Sequence, residues 1–430
     1  MGLKRSSRRA VPFWIVPLLY AAGAVVISII VPRIENRFLS HFTTTISVSS
    51  AVAYYSSVAT GMLALTGIVF SLLFVMVTFS ASAYSPRMVL WIARDRSLSH
   101  SLGIFTATFI YALVALVWVD RNHSGVVGQL SAICIVLLLF SSIAVLGYLV
   151  QRIGLLRISN ILAAIGSNGR DVIDELYPRA EEGARGSAPG PQAPSARAEL
   201  PPVTQTVLHS GVPRAVDAID IESLVSMAGR AGVVIEIVSP IGDMVFAGMA
   251  LLNVRGDGGT LPERDLRNAI RLEVERTFAQ DPKYLFRLLV DIAIRALSPA
   301  INDPTTAVQA LDQITDLLGR LGRRDLDIGR QYDAGGALRL TMPVPEWEDY
   351  LSLACDEIRL YGASSAQVMR RMRAMLRDLI DAVPPDRRPA LERQIALLDR
   401  SIERSFPDSE DRIEARKEDR QGLGQPRQRP

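Results

Sequence analysis

Apolar residues gather on two scales along this chain. Over the first 150 residues they form four long runs, Phe13 to Val31, Val58 to Phe79, Leu102 to Val119 and Leu130 to Val150, and none of these contains a charged residue. A bilayer core of about 30 Å takes about 20 helical residues to cross, so each run predicts a membrane span. The first follows a basic start and so invites reading as a secretory signal. It is longer than the apolar core of such a peptide, and Pro32-Arg33-Ile34-Glu35 stands where a small-residue cleavage site would be expected, so a retained span is predicted.

Beyond Arg157 the scale shortens. Ile158, Ile161, Leu162, Ile165, Val172, Ile173 and Leu176 recur at the period of a helix burying one face, which predicts a membrane-exit helix over 158–177. Residues 178–202 are rich in Pro, Gly, Ala and Ser with almost nothing to bury, and read as a disordered linker. Short β-prone segments then fill 203–256, with strands expected at Val212 to Ile219, Val233 to Val238 and Met244 to Leu252 and a short helix around Glu222 to Ala228. Residues 257–404 read as mostly helical. A helix opened by Thr260-Leu-Pro-Glu263 is expected to run through Leu266, Ile270 and Val274, and further helices cover 345–360, 364–383 and 389–404. Ala337 to Met342 is a strand candidate after the turn signal Asp333-Ala-Gly-Gly336. The charged, apolar-poor tail 405–430 predicts disorder.

The most informative stretch is Arg276 to Leu318. Asp281-Pro282 and Asp303-Pro304 each combine a side chain that accepts from a free N–H of a first turn with a proline preset for the first helical position. Ser298-Pro299 ends the first helix, because proline disfavours α geometry in the residue before it. A helical hairpin with its elbow at Ser298 to Asp303 follows. Arg295, Ser298, Asn302, Asp303, Thr305 and Thr306 form the candidate functional elbow, since a helix N-terminus readily binds anions. The preferred reading is structural: Asp303 caps its own helix, Arg295 pairs with Asp291, and the carboxylate would repel an incoming anion.

The second span carries another candidate. At 100° per residue Thr60, Ala64, Gly67, Ser71, Thr78 and Ser82 fall in one narrow sector. Thr60, Gly67, Ser71 and Thr78 mark it as a pore lining or a packing face, and packing is preferred because no intramembrane charge marks an ion path.

Composition adds bounds. The 430 residues are 49% hydrophobic with a mean hydropathy of +0.22, high for a soluble protein. The net charge of +3 is carried almost wholly by arginine, the only lysines being Lys4, Lys283 and Lys417, and points to no nucleic-acid partner. Lys4, Arg5, Arg8 and Arg9, then Arg87, Arg94 and Arg96, then Arg152 and Arg157 flank alternate sides of the spans. The positive-inside rule therefore predicts a multi-pass bacterial inner-membrane protein with both termini in the cytoplasm. Arg370, Arg371, Arg373 and Arg377 read as a solvated basic helix face, with anionic lipid or an acidic partner as the alternative.

The hairpin-like run Ser239 to Gly248 resembles a barrel-sandwich domain, whose carrier versions hold biotin or lipoyl on a lysine. No lysine lies between Lys4 and Lys283, so no such cofactor is expected. The four histidines are scattered, Cys134 and Cys355 predict no disulfide, and no P-loop, dinucleotide fingerprint or nucleophile elbow is present. No metal, cofactor or catalytic residue is predicted, and an enzyme is not expected.

Ser85-Pro86-Arg87, the run Phe105 to Tyr111 (FTATFIY) and the run Leu289 to Pro304 (LVDIAIRALSPAINDP) together resemble the signatures of a bacterial predicted-membrane-protein family, domain of unknown function 2254. The resemblance spans about Phe13 to Leu398 and is most specific at the elbow. It implies a four-span inner-membrane protein with a cytosolic C-terminal half and carries no established activity. The predicted fold class is thus four transmembrane helices followed by a cytosolic α+β domain with a small β subdomain and a helical bundle. Two functions remain open: a homo-oligomeric channel or transporter in the lipid bilayer with a regulatory cytosolic domain, or a membrane-anchored sensor or scaffold binding a partner or small anionic ligand.

Overall fold

The computed structural model describes residues 14–35, 45–83, 96–119, 126–154, 157–179, 200–278 and 280–423. The basic N-terminal tail, the loop bearing Ser85 to Arg94, and most of the expected linker lie outside them. The chain divides into two compact units, residues 3–157 and the chain from Ile158 onward.

The first unit contains α1 (Ile15–Ile34), β1 (Thr45–Ser47), α2 (Val48–Ala83), α3 (Arg96–Trp118), β2 (Val126–Gly128) and α4 (Gln129–Gly154). The four helices are long and apolar enough to cross a membrane. α2 begins ten residues before the apolar run at Val58, close to Ser49, where the helical pattern of the sequence starts. β1 and β2 pair antiparallel, Ile46 opposite Val127. Half of the apolar window of α3 is buried, against 17–28% for the other three, which makes α3 the central helix. Close approach to α1 depends on Gly103, since a Cβ there would stand 2.7 Å from the ring of Tyr20. Thr108 of α3 and Ser142 of α4, both fully buried, join hydroxyls at 2.9 Å. Such an interhelical bond is typically worth about 0.6 kcal/mol in a membrane. The outward faces carry Leu18, Leu19, Phe70, Phe74, Leu137 and Phe140, which suits hydrocarbon.

The second unit opens with α5 (Ile158–Leu176), whose Ile161, Leu162, Ile165, Val172 and Ile173 are buried as the sequence period requires. Two sheets follow. β3 (Val203–Leu208), β7 (Ala250–Arg255), β5 (Val234–Ile237), β10 (Leu338–Thr341) and β9 (Arg330–Tyr332) form one in that order, while β6 (Met244–Val245), β4 (Arg214–Ile219) and β8 (Ile270–Glu273) form the other. β5 runs antiparallel to β7 and parallel to β10, Ile235 opposite Leu340. Together with α6 (Ile221–Ala231) the sheets bury Val216, Leu224, Ile235, Leu252, Leu266 and Leu340 in a single core.

The β region therefore extends past the expected limit at 256. The helix predicted from Thr260 to Val274 is a short α7 (Glu263–Asn268) followed by β8. Apolar residues at 266, 270 and 274 fit a helical period, but Ile270 pairs with Ile219 of β4 instead.

The helical layer is built on α8 (Pro282–Ala296) and α9 (Pro304–Leu321), surrounded by α5, α10 (Trp347–Tyr361) and α11 (Ala366–Ala382), with α12 (Arg388–Ser405) and α13 (Ser409–Ala415) beyond. Gly169 of α5 faces α9, where a Cβ would meet both methyls of Leu317 at 2.8 Å. The tail expected to be disordered forms α13 and docks. Asp419 is 1% exposed, its N–H donates to the Arg370 carbonyl, and Gln367 Nε2 donates to the Gly422 carbonyl at 2.5 Å.

Candidate functional site

Local chemistry sets the elbow. The Asp281 carboxylate accepts the Tyr284 N–H at 3.1 Å to start α8. The chain then turns as the Ser298 carbonyl accepts from Ile301 and Asn302 and the Ala296 carbonyl accepts from Asp303 at 2.7 Å. Asn302 has φ 48°, the only positive value among described non-glycine residues, and asparagine is among the few side chains that tolerate it. Asp303 then uses both oxygens on α9: Oδ1 accepts the Thr306 N–H at 3.1 Å and Oδ2 its hydroxyl at 2.6 Å. An anion approaching this N-terminus would have to displace that carboxylate.

Ser298 is half-buried, whereas Asn302 and Thr305 are exposed. Of the elbow side chains, Asp303 and Thr306 are joined directly, and among the described residues no hydrogen bond links the side chains of Arg295, Ser298, Asn302 or Thr305 to that pair. Asp291, expected to pair with Arg295, pairs with Arg287, which also makes a forked bond to Glu357 of α10. Arg287 holds the Glu357 carboxyl below its ordinary value. Arg295 keeps its Nε buried without a hydrogen-bond partner.

The stripe on α2 lies where the rest of its unit does not reach. Thr60, Ala64, Gly67, Ser71 and Thr78 are all exposed, and a Cβ on Gly67 would meet nothing within 4 Å. The buried positions Ala51, Tyr55, Val58, Met62 and Val69 lie on the opposite side of the helix. Within its own unit the stripe therefore faces away from the other spans, which leaves both expectations, a pore lining or a packing face toward a neighbour, in place. Thr78 satisfies its hydroxyl on the Phe74 carbonyl of its own helix at 2.8 Å. Among the described residues the hydroxyls of Thr60 and Ser71 form no hydrogen bond.

The arginines of α11 also differ from expectation. Arg371 and Arg373 are 6% and 8% exposed and clip α11 to Asp312 of α9 and Asp399 of α12, while Arg370 and Arg377 pair with Glu414 and Glu418 of the tail. Arg371 and Arg373 tie helices together and are not solvated, whereas Arg377 remains exposed as expected. Sequence missed this because the acidic partners come from distant segments.

Elsewhere, an open groove of about 600 Å³ lies between α6 and the β9–β10 turn, lined by Val225, Arg230, Tyr332 and Asp333. Among the described residues no three His, Cys, Asp or Glu side chains gather as metal ligands. His209 bonds the Val212 carbonyl. Cys355 is fully buried, which pushes its thiol up to about 12 and leaves it a poor nucleophile.

Four apolar helices and a separate mixed helical and β unit, without a gathered catalytic constellation among the described residues, define a membrane protein whose polar features lie on helix faces and caps. The chain belongs to the family of predicted membrane proteins known as domain of unknown function 2254, whose sequence pattern matches residues 11–378. It is 31% identical over 366 residues to an uncharacterized protein of Mycobacterium bovis and to one of Mycobacterium tuberculosis, the match covering 83% of this chain and 68% of each relative. No solved structure matches it.

Proposed function

We propose that this is a non-enzymatic, homo-oligomeric protein of the bacterial inner membrane, of channel or transporter type, in which copies meet along α2 and the second unit acts as a cytosolic regulatory domain. The single observation behind this reading is the α2 stripe, directed away from the packed face of its own helix. Small residues let helix backbones approach closely in lipid, and the unbonded hydroxyls of Thr60 and Ser71 would find partners or water on a neighbouring copy. A lone monomer would leave them against hydrocarbon, where an unsatisfied polar group is costly. Arginine placement around the spans supports termini in the cytoplasm. Four spans are also more than an anchor needs.

Replacing Gly67 or Ser71 by leucine tests this. The expected outcome is a smaller mass in detergent than wild type and altered ion or solute flux in liposomes. Folded variants with unchanged mass and flux would refute it. The sensor or scaffold reading draws on one observation, the unpartnered Arg295 Nε one turn before the elbow. It predicts that Arg295→Met abolishes capture of a partner or anion without loss of folding.

A further inference from the structure

The groove beside α6 runs along an open sheet edge. β9 is the last strand of the five-stranded sheet, and among the described residues no strand pairs with its outer side. Its bonds to β10 leave from alternate residues: the Asp333 N–H donates to the Ala337 carbonyl at 3.0 Å, and the Gly329 carbonyl accepts the Met342 N–H at 2.8 Å. Antiparallel pairing alternates inward-bonded and outward-facing residues, so Arg330 and Tyr332 turn their N–H and C=O groups away from the sheet. The opposite wall is α6, which presents Ile221, Val225 and Gly229 to the groove. Helix and hairpin come together at Gly229, where a Cβ would stand 3.9 Å from Asp333 Oδ2. From Ile221 to Arg230 the helix rises about 13 Å, the length of about four residues of extended chain.

Charge gives the groove a direction. Arg230 is exposed; its Nη1 donates to Ser226 Oγ at 2.9 Å, and among the described residues it forms no ion pair. Asp333, the acid on the opposite wall, is already held by Arg339 at 2.7 Å. Glu222 stands about two turns earlier on α6, so one end of the groove is acidic and the other basic, and an entering carboxylate is directed to Arg230. Tyr332, 55% exposed, adds an aromatic surface; tyrosine and arginine are enriched among the residues that anchor interfaces. A small anion would use Arg230 alone. An extended peptide uses the cation, the apolar wall and the edge amides together.

We propose that β9 and α6 form a strand-addition site for an extended peptide segment of a partner protein, with a carboxylate of that segment bound by Arg230. The segment pairs with the outward N–H and C=O groups of Arg330 and Tyr332 and lays alternate side chains against Ile221 and Val225. The site lies wholly in the second unit and does not depend on the reading of α2.

The test uses the full-length protein in detergent and fluorescein-labelled hexapeptides of alternating valine and serine, with a single aspartate placed at each position in turn, or asparagine in its stead. Fluorescence anisotropy should show saturable binding of an aspartate peptide. Binding should be about tenfold weaker for the matching asparagine peptide and for Arg230→Gln, with no further loss when the two are combined. Arg330→Pro removes one outward N–H and leaves the β10 side and the groove lining in place, since proline is tolerated where an edge N–H faces solvent. It should weaken binding by about tenfold as well. Methylating the peptide nitrogens at alternate residues should block binding in one register and spare it in the other, which tests the same edge on wild-type protein if Arg330→Pro does not fold. No saturable binding by any peptide would overturn the proposal, as would binding indifferent to N-methylation or to Arg230→Gln. So would slow amide exchange at Arg330 and Tyr332 in the protein alone, the sign of an edge already filled by this chain or a second copy.

Discussion

Asp303→Ala separates a structural elbow from a ligand site. The substitution removes the N-cap bond to the Thr306 N–H, worth about 1 kcal/mol. It also strands the Thr306 hydroxyl, which sits on a residue only 9% exposed, at a further cost of about 1–3 kcal/mol. The sum is roughly 2–4 kcal/mol. Asparagine preserves a cap oxygen, so Asp303→Asn should cost less than about 1 kcal/mol. Adding Thr306→Val to Asp303→Ala removes the stranded hydroxyl as well and should return the loss to about that of the cap alone. Because a two-unit chain need not unfold in one step, the assay is native-state hydrogen exchange in the first turn of α9. A loss of about 3 kcal/mol there appears as exchange faster by about 100-fold. Unchanged exchange in Asp303→Ala, or an equal effect from asparagine, would refute the capping argument and return the carboxylate to a role in binding.

Other predictions follow from contacts in the second unit. Gly169→Val places carbon against both Leu317 methyls and should destabilise the α5–α9 contact by about 1–3 kcal/mol, measured by denaturant midpoint. Ending the chain after Phe406 removes the partners of Arg370 and Arg377 and should speed amide exchange along α11; unchanged exchange would mean the docked tail adds nothing. Because Arg287 lowers the folded-state Glu357 value, the pair should stabilise fully above the unfolded value of about 4.3 and fade as pH falls through the lower folded one. With Glu357 43% exposed the effect is under about 1 kcal/mol, absent in Glu357→Gln. Cys355, buried with its thiol raised by burial, should resist alkylation at neutral pH until the unit unfolds.

What sequence revealed was what neighbouring residues decide among themselves. Asp281-Pro282 and Asp303-Pro304 start α8 and α9 because cap, proline and first-turn N–H all lie within four residues. The α2 stripe was legible as a periodicity, but its direction depends on which face α3 covers. The elbow's residues were found, while the buried Arg295 Nε, without a hydrogen-bond partner among the described residues, was not, since Arg287 competes for Asp291. Arg371 and Arg373 looked solvated because Asp312 and Asp399 stand far away in the chain.

The parallel pairing of β5 with β10 has a bearing on biosynthesis. On the ribosome, Val234–Ile237 emerges long before Leu338–Thr341, and the whole of α8 and α9 is made in between. Throughout that interval one edge of the nascent sheet offers bare amides and carbonyls to any passing strand. A premature stop within the hairpin would make this condition permanent, so such fragments should be aggregation-prone and quickly degraded, not inert halves of the protein.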